Sequence, residues 1–272
     1  VWVGTGGYWT EADLNDIPLE RAARYAARDA DATARIYPIL RELHSAMGLE
    51  LVGSIDHNII PMVDKMQEVG IPVNVPYFRQ LSTDLGRRMV AVQQQIKNTF
   101  GLWINPNSGN QVAEVLFRPV EKGGYGLVAN KTTKGTVDKE TGELRKQRGS
   151  TQEKVLEGLR GKHPIVPMIL DYRALLKKKT SFADVVVRRA VFDSESGVWV
   201  LRCKFRITRV SSGRLSATGP NLMATIDDEE IRVGYVAGDG YQFAEWDLNQ
   251  IEMRVMASEA NDAFLIGMFE ND

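Results

Sequence analysis

Phe78, Leu81, Leu85, Met89, Val92, Ile96 and Phe100 recur at steps of three and four residues. That period puts all seven on one face of a helix. About 24 residues at roughly 1.5 Å each make a rod of about 35 Å. Asn74 stands where the cap of this helix belongs. The length constrains the fold more than the stripe does, because an elongated arm has to be carried on something else.

The flanking sequence supplies that support. Residues 16–46 read as one helix, with Asp16 and Pro18 as cap and first-turn proline, an alanine-rich stripe, and Gly48 as its stop. A second helix is expected from Asp56 to Val69, ending at Gly70, followed by an extended Ile71–Val75. Two shorter helices, Thr151–Arg160 and Pro164–Phe182, follow a polar, Gly- and Thr-rich excursion at 118–150. That excursion carries eight basic and four acidic residues and has a hairpin tip at Thr141-Gly142. Val198–Ile207 alternates as a strand, with Arg202, Lys204 and Arg206 on one face. Tyr241–Asp247 reads as another strand, and a helix begins near Gln250. The fold class is therefore α+β, a long helical arm on a sheet.

Charge is partitioned more sharply than the net −1 suggests. Residues 160–214 hold thirteen Lys/Arg and four Asp/Glu, whereas 215–272 hold two and twelve. Adjacent segments at +9 and −10 suggest two surfaces with different partners. The 272 residues are 43% apolar, which excludes a disordered chain, and no run approaches the ~18 apolar residues of a membrane span. One cysteine, Cys203, excludes a disulfide framework and points to a reducing, cytoplasmic setting. Three scattered histidines argue against a histidine metal site.

The window Phe243–Arg254 concentrates the chemistry. An apolar-patterned strand ends in Asp247 and turns directly into a helix. A carboxylate there can project into a cleft, with the Leu248 carbonyl pointing the same way. Mg²⁺ suits one or two carboxylates, a carbonyl, waters and substrate phosphates. The competing reading is that Asp247 or Asn249 merely caps the helix.

Five motifs in order carry a resemblance. Asp247–Ala257 (DLNQIEMRVMA) resembles D-Y-S-Q-I-E-L-R-x-x-A, motif A of family A DNA polymerases. Ser212–Ser216 with Pro220-Asn221-Leu222 resembles T-G-R-L-S-S-x-x-P-N-L-Q. Tyr172–Thr180 resembles Y-R-x-L-x-K-L-K-S, and Asn105–Phe117 resembles the N-x-x-S-x-x-Q-L-x-x-x-L-F thumb signature. Tyr25-Ala-Ala-Arg-Asp29 is similar to the Y-x-x-x-D element that closes the 3′–5′ proofreading exonuclease. The resemblance covers essentially the whole chain.

The resemblance implies a role for each matched residue. Asp247 with the Leu248 carbonyl would hold the two Mg²⁺ ions that serve the primer 3′-hydroxyl and the triphosphate. Glu252 would be the steric gate against a ribose 2′-hydroxyl. Arg214 would touch the minor-groove edge near the primer terminus, and Asn221 would contact primer-template. Arg173, Lys177, Lys178 and Lys179, with Arg202, Lys204 and Arg206, would follow the duplex backbone. Tyr25 and Asp29 would be an exonuclease remnant. The implied partners are primer-template DNA, deoxynucleoside triphosphates and a fingers/palm portion.

The resemblance also implies a division into an exonuclease remnant at 1–48, a helical thumb with palm-base helices at 49–182 and a partial palm at 183–272. The sequence departs from the pattern at Leu248-Asn249 and at Met223-Ala224, which puts two polar primer-template contacts in doubt. No fingers helix and no second palm aspartate are readable, nor are the other exonuclease carboxylates. The expectation is an incomplete piece of a polymerase. A non-catalytic duplex-binding module or an inactive remnant is the alternative.

Overall fold

The computed structural model describes residues 2–3, 7–8, 18–133, 148–224 and 228–270. The chain forms two compact units, Val1–Glu68 and Val69–Asp272. Among the described residues no helix is long and apolar enough to cross a membrane.

In the first unit, β1 (Trp2–Val3) pairs antiparallel with β2 (Gly7–Tyr8). Helices α1 (Leu19–Ala46) and α2 (Glu50–Val69) follow. Asp16 lies outside the described residues, and Pro18 takes the cap position of α1 without a side-chain bond. The second helix starts six residues before the expected Asp56. The chain re-enters helix at once because the Leu49 amide donates to the His44 carbonyl (3.1 Å) and Ser45 Oγ donates to Glu50 Oε1 (2.6 Å). Gly53 is what the close approach requires: a Cβ there would lie 2.5 Å from His44 Cε1. The apolar stripe read on the first helix is not buried; no residue of α1 is, and of α2 only Val63 is. Two helices alone offer each other one narrow seam.

In the second unit, β3 (Ile71–Val73) leads into α3 (Val75–Phe100), the long rod. Asn74 caps it, its Oδ1 accepting from the Tyr77 amide at 3.0 Å. Then come α4 (Gly109–Phe117), α5 (Glu153–Glu157) and α6 (Ile165–Lys178). A single π-helical turn, Lys179–Ala183, joins α6 to α7 (Asp184–Arg189). The helix expected to stop at Phe182 thus continues through a widened turn. The Lys179 ammonium donates to both Asp184 oxygens (2.8 and 3.0 Å), a pair five residues apart that suits the wider spacing.

Strands β4 (Val191–Asp193) and β5 (Val198–Leu201) complete a three-stranded antiparallel sheet in the order β3-β5-β4, with Ile71 opposite Leu201. Strands β6 (Lys204–Arg206) and β7 (Ser216–Thr218) form a separate hairpin with Phe205 opposite Ala217. The strand expected over Val198–Ile207 is therefore split at Arg202-Cys203, because its halves pair in different sheets. The alternation survives the break: Cys203 is buried, and Arg202, Lys204 and Arg206 are exposed. Two short helices, α8 (Glu229–Arg232) and α9 (Ile251–Glu259), precede the last, α10 (Ala263–Glu270).

Residues 241–247 form no strand. A strand exists through its ladder, and among the described residues nothing pairs with this segment. Its alternation has no face to bury, so Tyr241, Phe243 and Trp246 all face solvent, Trp246 at 92% exposure.

Two cores lie along α3. Phe78, Leu81 and Leu85 pack with Phe182, Val186, Leu201 and Ile231. Further along, Ile96 packs with Val112, Leu116, Leu156, Ile165 and Ile169. Phe78, Leu85 and Ile96 are essentially sealed from water, which is worth roughly 1.5–3 kcal/mol for each such side chain. One helix thus forms a wall of both cores.

Candidate nucleic-acid interface and catalytic carboxylate

The motif Asn105–Gln111 is a helix-starting device. Ser108 caps α4, its Oγ accepting from the Gln111 amide at 3.4 Å. Gln111 Oε1 in return accepts from the Asn105 amide at 2.6 Å, and Asn105 Oδ1 accepts from the Asn107 amide at 3.0 Å. This is close to a reciprocal capping box, with the return bond reaching three residues further back. Gly109 then begins α4, partly buried, where a Cβ would lie 3.0 Å from Thr151 Oγ1.

That N-terminus borders a cleft of about 570 Å³ lined by Asn107, Gly109, Lys131, Thr151, Arg173 and Lys177 among others. The ends of the polar excursion meet beside it: the Ser150 amide donates to the Lys131 carbonyl and the Thr133 amide to the Arg148 carbonyl, both at 2.8 Å. The expected tip at Thr141-Gly142 lies outside the described residues. Helix-terminal amides next to cations make a surface suited to phosphate. Lys131 and Thr151 were not singled out in the sequence. The capping motif was the available signal, since it announces where a helix begins.

The four clustered cations on and after α6 have different surroundings. Lys177 is exposed and has no ion-pair partner among the described residues. Arg173 is half-buried; its Nε donates to the Pro106 carbonyl at 2.8 Å and its Nη1 to the Thr151 carbonyl. Burial lowers its pKa, with the Glu153 charge opposing. Lys178 Nζ lies 2.5 Å from Asp228 Oδ2 and 2.6 Å from Glu230 Oε2. Arg88 Nη1 donates to Glu230 Oε1 at 3.0 Å, and Tyr77 Oη donates to the Glu230 carbonyl at 2.7 Å. The bond from Lys178 holds the Glu230 carboxyl below its usual range, outweighing burial, and Arg88 adds to it. Lys179 joins Asp184, to which Ser82 also donates at 2.5 Å. Burial pushes the Asp184 carboxyl up, but these bonds outweigh it and the net shift is downward.

Asp247 closes the extended segment and is exposed, with no hydrogen-bond or ion-pair partner among the described residues. The turn after it is built by other groups. Gln250 takes a left-handed conformation (φ 51°) at the cap position of α9, with no side-chain cap bond. Arg254 donates from Nε to the Asn249 carbonyl (2.9 Å) and from Nη1 to the Phe269 carbonyl (3.1 Å), and its guanidinium lies over the Phe269 ring. Neither Asp247 nor Asn249 caps the helix. The Leu248 carbonyl accepts from the Ile251 amide at 3.2 Å, which leaves it a second lone pair. No group of three His, Cys, Asp or Glu side chains clusters as a metal cage among the described residues. One carboxylate and one carbonyl are donors that fit part of a Mg²⁺ shell and no more.

Arg214 sits in the loop between β6 and β7, and its guanidinium contacts the Glu252 carboxylate in the first turn of α9. Asn221 is exposed just before a 3₁₀ turn at Leu222–Ala224.

In the first unit, Tyr25 and Asp29 share a face of α1, and the Asp29 charge and hydrogen bond raise the Tyr25 pKa. A cleft of about 750 Å³ in this unit lies between α1 and α2 and is lined by Tyr37, Arg41, His44, Glu50 and His57 among others, without Tyr25 or Asp29.

The family follows from comparison: residues 75–272 match the model of DNA polymerase family A, and the chain belongs to that family. It is 30% identical over 263 residues to DNA polymerase I of Chloroflexus aurantiacus, covering 94% of this chain and 26% of that protein. It is 31% identical over 270 residues to the thermostable DNA polymerase I of Thermus aquaticus, covering 97% and 29%. A solved structure, the POL domain of Pol1 from M. smegmatis in complex with DNA primer-template and dNTP, superposes with a TM-score of 0.74 at 26% identity, covering 97% of this chain and 45% of that one. The chain spans about a quarter of the length of these curated relatives.

Proposed function

We propose that this chain is the part of a template-directed DNA polymerase that holds primer-template duplex and supplies one catalytic carboxylate. Residues 1–48 would be the end of the exonuclease domain, 49–182 the thumb and palm-base helices, and 183–272 the first part of the palm. The observation that carries the reading is Asp247, exposed and without a partner among the described residues just before a helix that it does not cap, inside the stretch that matches the family.

Asp247 and the Leu248 carbonyl would hold Mg²⁺, with further oxygens from water, a second carboxylate and the triphosphate. Bound there, the metal would lower the pKa of the primer 3′-hydroxyl and neutralise charge on the transferring phosphate. The chain's own work is positioning. Lys177 and Lys131, beside the first turn of α4, would receive backbone phosphates, and Arg202, Lys204 and Arg206 would extend that track. Arg173 supports the track from behind by holding the loops at Pro106 and Thr151. Lys178 and Lys179, engaged with carboxylates, would fix the helices on which the track is mounted. Arg214 and Asn221 would meet the primer end, and Glu252 would exclude a 2′-hydroxyl. Tyr25 and Asp29 would belong to a proofreading site completed by other residues. A cytoplasmic setting in a bacterial or phage-infected cell goes with this reading.

With a single carboxylate at the site, the 272-residue chain alone is expected to bind duplex and to incorporate nothing. That is also what a non-catalytic duplex-binding module would do. The deciding experiment joins the chain to the remaining palm and fingers of a family A polymerase and measures Mg²⁺-dependent primer extension. Asp247→Ala is expected to abolish it, and unchanged extension would defeat the assignment. Glu252→Ala in the same assembly is expected to admit ribonucleotides; retained sugar selectivity would remove Glu252 from the gate.

A further inference from the structure

Arg214 and Glu252 have separate jobs in the reading above, one at the primer end and one at the incoming sugar, yet they touch. Thirty-eight residues of chain separate them. Each is presented by a shaped turn. Arg214 follows Gly213, whose φ of 74° and amide bond to the Val210 carbonyl (3.0 Å) turn the β6–β7 loop. Glu252 follows Gln250, whose left-handed backbone starts α9. Both side chains are mostly exposed, at 72% and 63%.

An exposed ion pair is worth about 1 kcal/mol at most, so it is made and broken easily. Glu252 Oε1 occupies the Nη2 group at the tip of the Arg214 guanidinium, where a minor-groove acceptor would also approach. The minor groove is walled by phosphates, and a carboxylate carried toward it would meet like charge. A duplex therefore favours Arg214 without its partner.

We propose that Arg214 and Glu252 form an exchange pair. Without DNA, Glu252 holds Arg214. A seated primer end draws the guanidinium away, and only then is the carboxylate released to meet the sugar of the incoming nucleotide. Sugar discrimination is thereby conditional on primer engagement. This inference rests on the polymerase reading.

The test is a double-mutant cycle on the full chain: wild type, Arg214→Met, Glu252→Gln and the double variant. The readout is fluorescence anisotropy with a labelled primer-template hairpin at one fixed salt concentration. Glu252→Gln removes a negative charge and would favour DNA slightly in any background, so the cycle is what separates coupling from charge. The expected result is binding tightened about threefold to fivefold by Glu252→Gln when Arg214 is present, and less than about 1.5-fold when it is Met. An equal factor in both backgrounds overturns the exchange pair and leaves the polymerase reading standing. Absence of duplex binding in all four proteins overturns both. Thermal unfolding provides a second readout: an exchangeable surface pair leaves the midpoint nearly unmoved, and a large loss in either single variant would show a structural tie instead.

Discussion

The stretch from α6 to α7 and the stretch from Tyr241 to Glu252 belong to one unit and are built in opposite ways. In the first, three of the four clustered cations have partners, Lys177 being left exposed: Arg173 holds two carbonyls, Lys178 two carboxylates, and Lys179 a carboxylate and a hydroxyl. In the second, three aromatic rings and Asp247 stand in solvent without a ladder. The difference separates framework from working surface. A framework satisfies its own polar groups, whereas a surface that must meet metal, sugar or nucleic acid leaves donors and acceptors open.

The sharpest way to break that comparison is to cut side chains in both places. Leu85→Ala, in the core against which α6 and α7 pack, is expected to cost about 3 kcal/mol in chemical denaturation. Trp246→Ala is expected to move stability by less than about 0.5 kcal/mol. Comparable losses would mean that the second stretch is also framework.

Lys178→Met comes next. It leaves Asp228 and Glu230 without their ammonium. Because Glu230 is nearly half exposed, about 1–2 kcal/mol is expected, below the cost of a fully buried pair. The pH dependence gives the sign. Glu230 titrates below its ordinary 4.5 when folded, so its contribution is complete above that value and is lost as pH falls through the folded value. Acid unfolding curves should therefore be shallower in Lys178→Met; an unchanged acid limb would separate Lys178 from Glu230.

Much of this framework was legible in the sequence. The long rod, its Asn74 cap and its apolar face all form, because a periodic stripe and a capping amide act locally. The split of Val198–Ile207 and the missing ladder at Tyr241–Asp247 were not legible. Alternation says which side chains share a face, but not which strand will lie alongside. Nor does a run of cations reveal which of them meet acids arriving from elsewhere. Lys178 is answered by residues fifty and fifty-two positions later.

DNA binding sharpens the contrast within the cationic run. If roughly five exposed cations neutralise phosphates, log K should fall with log salt at a slope near −4.5. Lys177→Met should reduce that slope by about one, and Lys178→Met should leave it unchanged. Equal effects would place both side chains on the duplex. The smallest effect concerns Cys203. Burial pushes its thiol pKa up, so alkylation of the folded chain should be slow and should become fast once denaturant opens it.

The widened turn at Lys179–Ala183 has a geometric consequence. A π turn holds one residue more than an ordinary helical turn. At 3.6 residues per turn, removing that residue would rotate everything after it by about 100°. Val186 would swing off its core, and the helix would deliver the chain to its strands out of phase. The direction in which the chain leaves α7 for its strands is thus decided by one added residue in the turn before it.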